Sequence, residues 1–283
     1  MVQLLLIIQE FDGGGKVVLI ICFTALFIMV CYFAFKMVEM AFVMRKKRPL
    51  YRHFLAFRKL SPEQKKILEK DFSFYNKLNA KEQRFFEHRV ASLIKDKFFI
   101  PRGGLKITDE MKVLISSTAA MLTFGFREFY IGMINKIFIY PDEFYSHMNQ
   151  DNHKGEFNPK LQALVISWKH FKEGFDVAND NVNLGIHEFA HAIHLNSIKE
   201  RDVSSTIFED SYKELMDLIS NQEDLRNRLV EAQYFRDYAF TNQFEFIAVI
   251  IETFIESPQE LKGQFPQVYK KVQQMLNFNF AGY

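Results

Sequence analysis

The sequence predicts an α+β fold, mainly helical with a small sheet, preceded by one N-terminal apolar helix. Three observations carry that prediction. They are an uninterrupted apolar run near the N-terminus, a series of segments with apolar residues every three or four positions, and two short runs rich in β-branched and aromatic residues. A few strands among many helices point to a helical domain that includes a small sheet. The 283 residues, 48% of them apolar, suffice for one substantial core beside an appendage. The expected division is residues 1–44 for the N-terminal segment and 45–283 for the folded domain.

The apolar run, VVLIICFTALFIMVCYFAF at 17–35, contains no charge, Pro or Gly. At 1.5 Å rise per residue it matches a hydrocarbon layer of roughly 30 Å, so it reads as a single transmembrane helix. A cleaved signal peptide is the competing reading, but Glu10, Asp12 and Lys16 do not form a basic leader and no small-residue cleavage site follows. Lys36, Arg45, Lys46, Lys47, Arg48 and Arg52 follow the run, whereas Lys16 alone precedes it. That asymmetry predicts a single-pass protein of the cell inner membrane with its folded domain in the cytoplasm. Cys22 and Cys31 both fall inside the run, which leaves the remainder without a disulfide framework or a thiolate metal site.

Periodicity predicts helices at 62–76, 81–97, 109–122, 182–198, 211–234, 244–255 and 267–276. Thr108 stands where it can cap the third of these. KIFIY at 136–140, stopped by Pro141, and ALVISW at 163–168 read as strands. The 36 Lys and Arg nearly balance the 34 Asp and Glu, so no overall field gathers nucleic acid, which is excluded as an expected partner. The 32 Phe are spread along the chain and read as core filling.

Within the helix at 182–198 stands His187-Glu188-Phe189-Ala190-His191. Residues four apart on a helix have Cβ atoms about 5–6 Å apart, so both imidazoles can reach one Zn2+ at about 2.0–2.1 Å. Glu188 is turned off the line of the pair yet stays near enough to act as general base toward a water that zinc acidifies to a pKa near 7. Phe189, Ala190, Ala192 and Ile193 surround the pair with apolar side chains, and two buried imidazoles without a partner would be costly. A catalytic zinc needs a third protein ligand. Ser197 stands six residues beyond His191, where a third histidine would be required, so a carboxylate from a later helix is expected. Glu245, amid apolar neighbours, and Glu252, seven residues on along the same helix face, are the two candidates.

Five blocks in the same order, ITDEMKVLISSTAA (107–120), IFIYPDEF (137–144), VISW (165–168), NLGIHEFAHAIH (183–194) and YAFTNQFEFIAV (238–249), resemble the zinc-dependent peptidase family typified by Mlc titration factor A. That family is gluzincin-like and related to the catalytic domain of anthrax lethal factor. The resemblance implies a zincin-like metallopeptidase domain with His187, His191 and Glu245 as metal ligands, because the family's ligand glutamate follows a tyrosine by seven residues as Glu245 follows Tyr238. It also implies that Tyr238 donates a hydrogen bond to the oxyanion, a role worth a few kcal/mol in analogous sites. Peptide substrates, aminopeptidase-like cleavage and a transcriptional regulator as partner are further implications. Two features depart from the family: the namesake is soluble, and its helix continues HKLD where this chain has His194 in the aspartate position. Two turns beyond His187, His194 cannot share its ion, so it either orients a ligand or packs. Asn183 either orients a ligand or caps the helix, and Glu252 is a candidate to orient a ligand histidine.

The expected activity is therefore that of a membrane-anchored zinc metallopeptidase, with Zn2+ as cofactor, a peptide or protein as substrate, and the lipid bilayer as partner. The competing expectation is a zinc-containing binding or scaffold protein that sequesters a regulator or joins a membrane complex. An intact Glu188 speaks for catalysis. The strand at 163–168, ending in Ser167-Trp168, is expected to be a sheet edge to which an extended peptide adds.

Overall fold

The structure is a computed structural model that describes residues 13–50, 57–146, 150–176, 183–232, 235 and 237–283, without the side chains of residues 176, 237 and 238. The chain divides into two units, Met1–Lys46 and Lys47–Tyr283. In the first lies helix α1 (Gly13–Lys46), 34 residues long. Val17, Ile20, Phe27 and Phe33 on it are each more than half exposed. Among the described residues α1 is the one helix long and apolar enough to cross a membrane. A helix suits that environment because it satisfies its own backbone groups.

The second unit begins with helices whose starts are written in their caps. Ser61 and Gln64 form a reciprocal capping box with Pro62 at the head of α2 (Pro62–Asp71), and Asn79 and Glu82 do the same for α4 (Ala80–Asp96). Between them the helix expected over 62–76 is interrupted at Phe72, whose extended backbone turns its ring into the core before the short α3 (Ser73–Asn76). After strand β1 (Phe98–Pro101), Thr108 Oγ1 accepts from the Met111 N–H and starts α5 (Asp109–Leu122).

Strands β2 (Lys136–Tyr140), β3 (Phe144–Ser146), β4 (Asp151–His153), β5 (Gly155–Asn158) and β6 (Ala163–Ser167) follow. The main sheet has the order β1-β2-β6-β5, with β1, β2 and β6 parallel and β5 antiparallel to β6, Phe157 opposite Leu164. β3 and β4 pair separately. The expectation that 163–168 is a sheet edge is therefore corrected. β6 is paired on both sides, and Ala163, Leu164, Ile166 and Ser167 are all buried, as on an interior strand. Trp168 opens helix α6 (Trp168–Asp176) rather than ending the strand.

The remaining helices are α7 (Leu184–Lys199), α8 (Val203–Asn221), α9 (Glu223–Glu231), α10 (Gln243–Glu256), α11 (Pro258–Gln264) and α12 (Pro266–Met275), with a 3₁₀ turn at Asp237–Phe240. The single helix expected over 211–234 is two. Asp202 Oδ1 accepts from the Ser205 N–H and starts α8 early, and the extended backbone of Gln222 ends it.

α7 is the central element. It packs on α5, α6, α8, α10, β5 and β6, and buries residues on every side, including Gly185, Ile186, Phe189, Ala190 and Ile193. Its approach to α6 requires Gly185, where a Cβ would lie 2.4 Å from Cε2 of the fully buried Phe171. Gly185→Ala is expected to destabilise the protein by about 1–3 kcal/mol through overpacking, read as a lower denaturant midpoint at an unchanged slope. An unchanged midpoint would show that α6 yields freely.

Candidate metal centre

Asn183 begins the helix that carries the centre. Its Oδ1 accepts from the Ile186 N–H at 3.1 Å, and its Nδ2 donates to the Gly174 carbonyl at 2.8 Å. The cap fixes where α7 starts and hence the rotation at which His187 and His191 leave it. α10 is set in the same way: Asn242 Oδ1 accepts from the backbone N–H groups of both Phe244 and Glu245 at 2.9 Å. That turn presents Glu245 to the two imidazoles. A carboxylate in the first helical turn is also favoured by the helix dipole.

The three side chains meet at single atoms. His187 Nε2 lies 3.1 Å from Glu245 Oε2 and 3.2 Å from His191 Nε2, and His191 Nε2 lies 3.3 Å from the same Glu245 oxygen. Tetrahedral ligands about 2.0–2.1 Å from a zinc ion are separated from one another by about 3.3 Å, so all three spacings fit a shared ion. The two nitrogens and one oxygen are also the donor types such an ion takes. His187, His191 and Glu245 form the one such group found among the described residues.

Behind them, Glu252 sits almost wholly buried one face-repeat along α10 from Glu245. One Glu252 oxygen lies 3.3 Å from His187 Nδ1, and the other accepts from the backbone N–H of Asn183. His187 is thus bracketed by two carboxylates, one on each ring nitrogen. Burial alone would depress its pKa, but hydrogen bonds to Glu245 and Glu252 and the charge of Glu188 outweigh that and raise it to about 9. Burial likewise pushes the Glu245 carboxyl up, and the hydrogen bonds from His187 and His191 overcome it, holding the group below the usual carboxylate range.

Glu188 is buried against β5. A Cβ on Gly155 would lie 3.0 Å from its Cγ and Oε1, and the Phe157 backbone N–H hydrogen-bonds its carboxylate. Burial is the dominant influence and raises its pKa, partly countered by His187 and His191. Tyr238 stands in the 3₁₀ turn before α10, and its side chain lies outside the described residues. Asn183 proves to be the helix cap. His194 is buried among Phe208, Tyr212 and Phe244, both its ring nitrogens lack a hydrogen-bond partner among the described residues, and burial lowers its pKa to about 4. β5 was missed in the sequence because four residues, Gly-Glu-Phe-Asn, carry no alternation long enough to read. The isolated Gly155 was the only sign of a close approach.

The model of the glucose-regulated metallo-peptidase M90 family matches residues 43–277 of this chain. The chain belongs to that family. Mlc titration factor A of Yersinia pestis (strain Pestoides F) is 28% identical over 212 residues, which cover 68% of this chain and 76% of that protein. The protein of the same name from Yersinia pseudotuberculosis serotype O:1b (strain IP 31758) is similar to the same extent. M90 membership makes the second unit a metallopeptidase-type domain, mainly helical with a small sheet, and implies a metal.

The raised pKa of His187 has a measurable consequence. With its pKa raised from 6.5 to about 9, the imidazole holds its proton at pH 7 in the metal-free protein. Its contribution to stability is therefore present below 6.5 and lost as pH rises through about 9. A metal needs the neutral ring, so uptake at pH 7 is expected to release about one proton from this residue. Calorimetric titration in buffers of different ionisation enthalpy reads that number, and uptake without proton release would contradict the bracketed arrangement.

Proposed function

We propose that this M90 chain is a zinc-dependent peptidase tethered to the inner membrane by α1, with its second unit in the cytoplasm. The observation that carries the chemistry is the set of near-equal spacings among His187 Nε2, His191 Nε2 and Glu245 Oε2, which suits one zinc ion held by these three residues. Bound there, zinc supplies Lewis acidity, polarising a scissile carbonyl and acidifying water. Glu188 takes the proton of the attacking water on its carboxylate and delivers it to the leaving amine nitrogen. Its raised pKa suits both halves of that shuttle. Tyr238 donates its phenolic hydrogen to the developing oxyanion.

Substrate binding falls to β5. Among the described residues this strand is paired on one side only, and its Phe157 N–H reaches Glu188, so its free edge borders the catalytic carboxylate. An extended peptide adding to that edge brings its backbone carbonyl beside Glu188. The basic residues following the apolar run 17–35 support the cytoplasmic placement.

Glu188→Gln is expected to keep stoichiometric zinc by metal analysis while hydrolysis of a peptide library falls by about 10²–10⁴-fold. Full hydrolysis by that variant would end the enzymatic reading. The relatives' name speaks of titrating Mlc, which favours a regulator among the partners. A cellular effect that survives Glu188→Gln after hydrolysis is lost would belong to that binding role. The full chain is also expected to stay with the membrane pellet after an alkaline wash, and a chain lacking 17–35 to leave it. Release of the full chain by the wash would remove the tether from this proposal.

A further inference from the structure

The two histidines of the centre are held by different means. His187 has Glu252 on its outer ring nitrogen at 3.3 Å. His191 Nδ1 is buried and, among the described residues, has no hydrogen-bond partner. Metal-binding histidines ordinarily give this second nitrogen to a carboxylate, carbonyl or water, which sets the orientation of the ring. What His191 has instead is a flat face. The Phe244 ring lies against it with centroids 4.7 Å apart and planes 7° from parallel.

Phe244 in turn lies against His194, at 5.1 Å and 28°. His194 is 3% exposed, makes no hydrogen bond from either nitrogen among the described residues, and is itself backed by Tyr212 at 4.5 Å and Phe208 at 5.9 Å. These separations are those of favourable aromatic contacts. The Asn242 cap binds the N–H groups of Phe244 and Glu245 together, so one turn of α10 delivers both the stacking ring and the carboxylate.

We infer that Phe244, backed by His194, is a positioning residue that fixes the plane of the His191 imidazole for metal binding, doing by stacking what Glu252 does for His187 by hydrogen bonding. The inference rests on the proposed ligand set of His187, His191 and Glu245. It assigns His194 a role as a flat packing surface, in which its nitrogens take no part. Losing the flat face lets the ring rotate, and the cost appears in metal affinity before it appears in the fold.

The test measures the Zn2+ dissociation constant of the full chain in detergent micelles by competition with a chromophoric chelator, with the visible spectrum of the Co2+ form as a second readout. Phe244→Leu keeps bulk but loses the flat face, and is expected to weaken Zn2+ binding by about 10–100-fold and to alter the Co2+ bands. His194→Leu is expected to act in the same direction. Phe244→Tyr and His194→Phe keep flat rings and are expected to stay near the wild type. Wild-type affinity in either leucine variant overturns the inference while leaving the ligand set intact. A His194→Phe protein as weak as His194→Leu overturns the packing role of His194. If the wild type itself takes up no Zn2+, the ligand set fails and this inference goes with it.

Discussion

The imidazole of His187 ties the two helices of the centre together, because each of its nitrogens meets a carboxylate from α10, Glu245 on one side and Glu252 on the other. The seven-residue spacing of those glutamates places both on one face of α10, two turns apart, so a single ring on α7 can span them. Glu252 is fully buried and Glu245 partly so, and carboxylates withdrawn from water in this way need cationic or hydrogen-bonding partners. The proton on His187 fills that need in the metal-free protein, and a divalent cation would fill it better. Glu252 also accepts from the N–H of Asn183, so the same carboxylate ties the start of α7 to the His187 side chain one turn later.

Rigidity around this contact comes from packing. α7 is enclosed on all sides, and two glycines mark where neighbours come closest, Gly185 beneath Phe171 and Gly155 beneath Leu184 and Glu188. Side chains held this way have few alternative rotamers, and preorganised sites depend on such support. Helix caps contribute in the same sense. Asn183 sets the first turn of the helix that carries His187 and His191, and Asn242 sets the turn that carries Glu245, so a small error in either cap would displace those side chains.

The departure at His194 has a structural explanation in its surroundings. A charged aspartate at this position would sit among Phe208, Tyr212 and Phe244 and bear the full cost of burial. An uncharged imidazole fills the same space as a flat, largely apolar ring. The aromatic side chains of α8 and α10 thus match the residue on α7, which shows the three helices answering one packing problem together.

The sequence by itself determined the local features: the apolar span of α1, the Thr108 cap of α5, the strand β2, and the spacing that sets His187 and His191 on one face of one helix. These depend on contacts within a few residues, where periodicity, caps and β-branching act directly. It also narrowed the third partner of the histidine pair to Glu245 or Glu252. Only the tertiary structure decided that Glu245 lies beside Nε2 and Glu252 beside Nδ1, because that depends on the angle and register between α7 and α10. The interior position of β6, the strand β5 at its side, and the stacking of Phe244 on His191 were hidden for the same reason. Each is a relation between segments far apart in the chain, and no local pattern records which surfaces will meet.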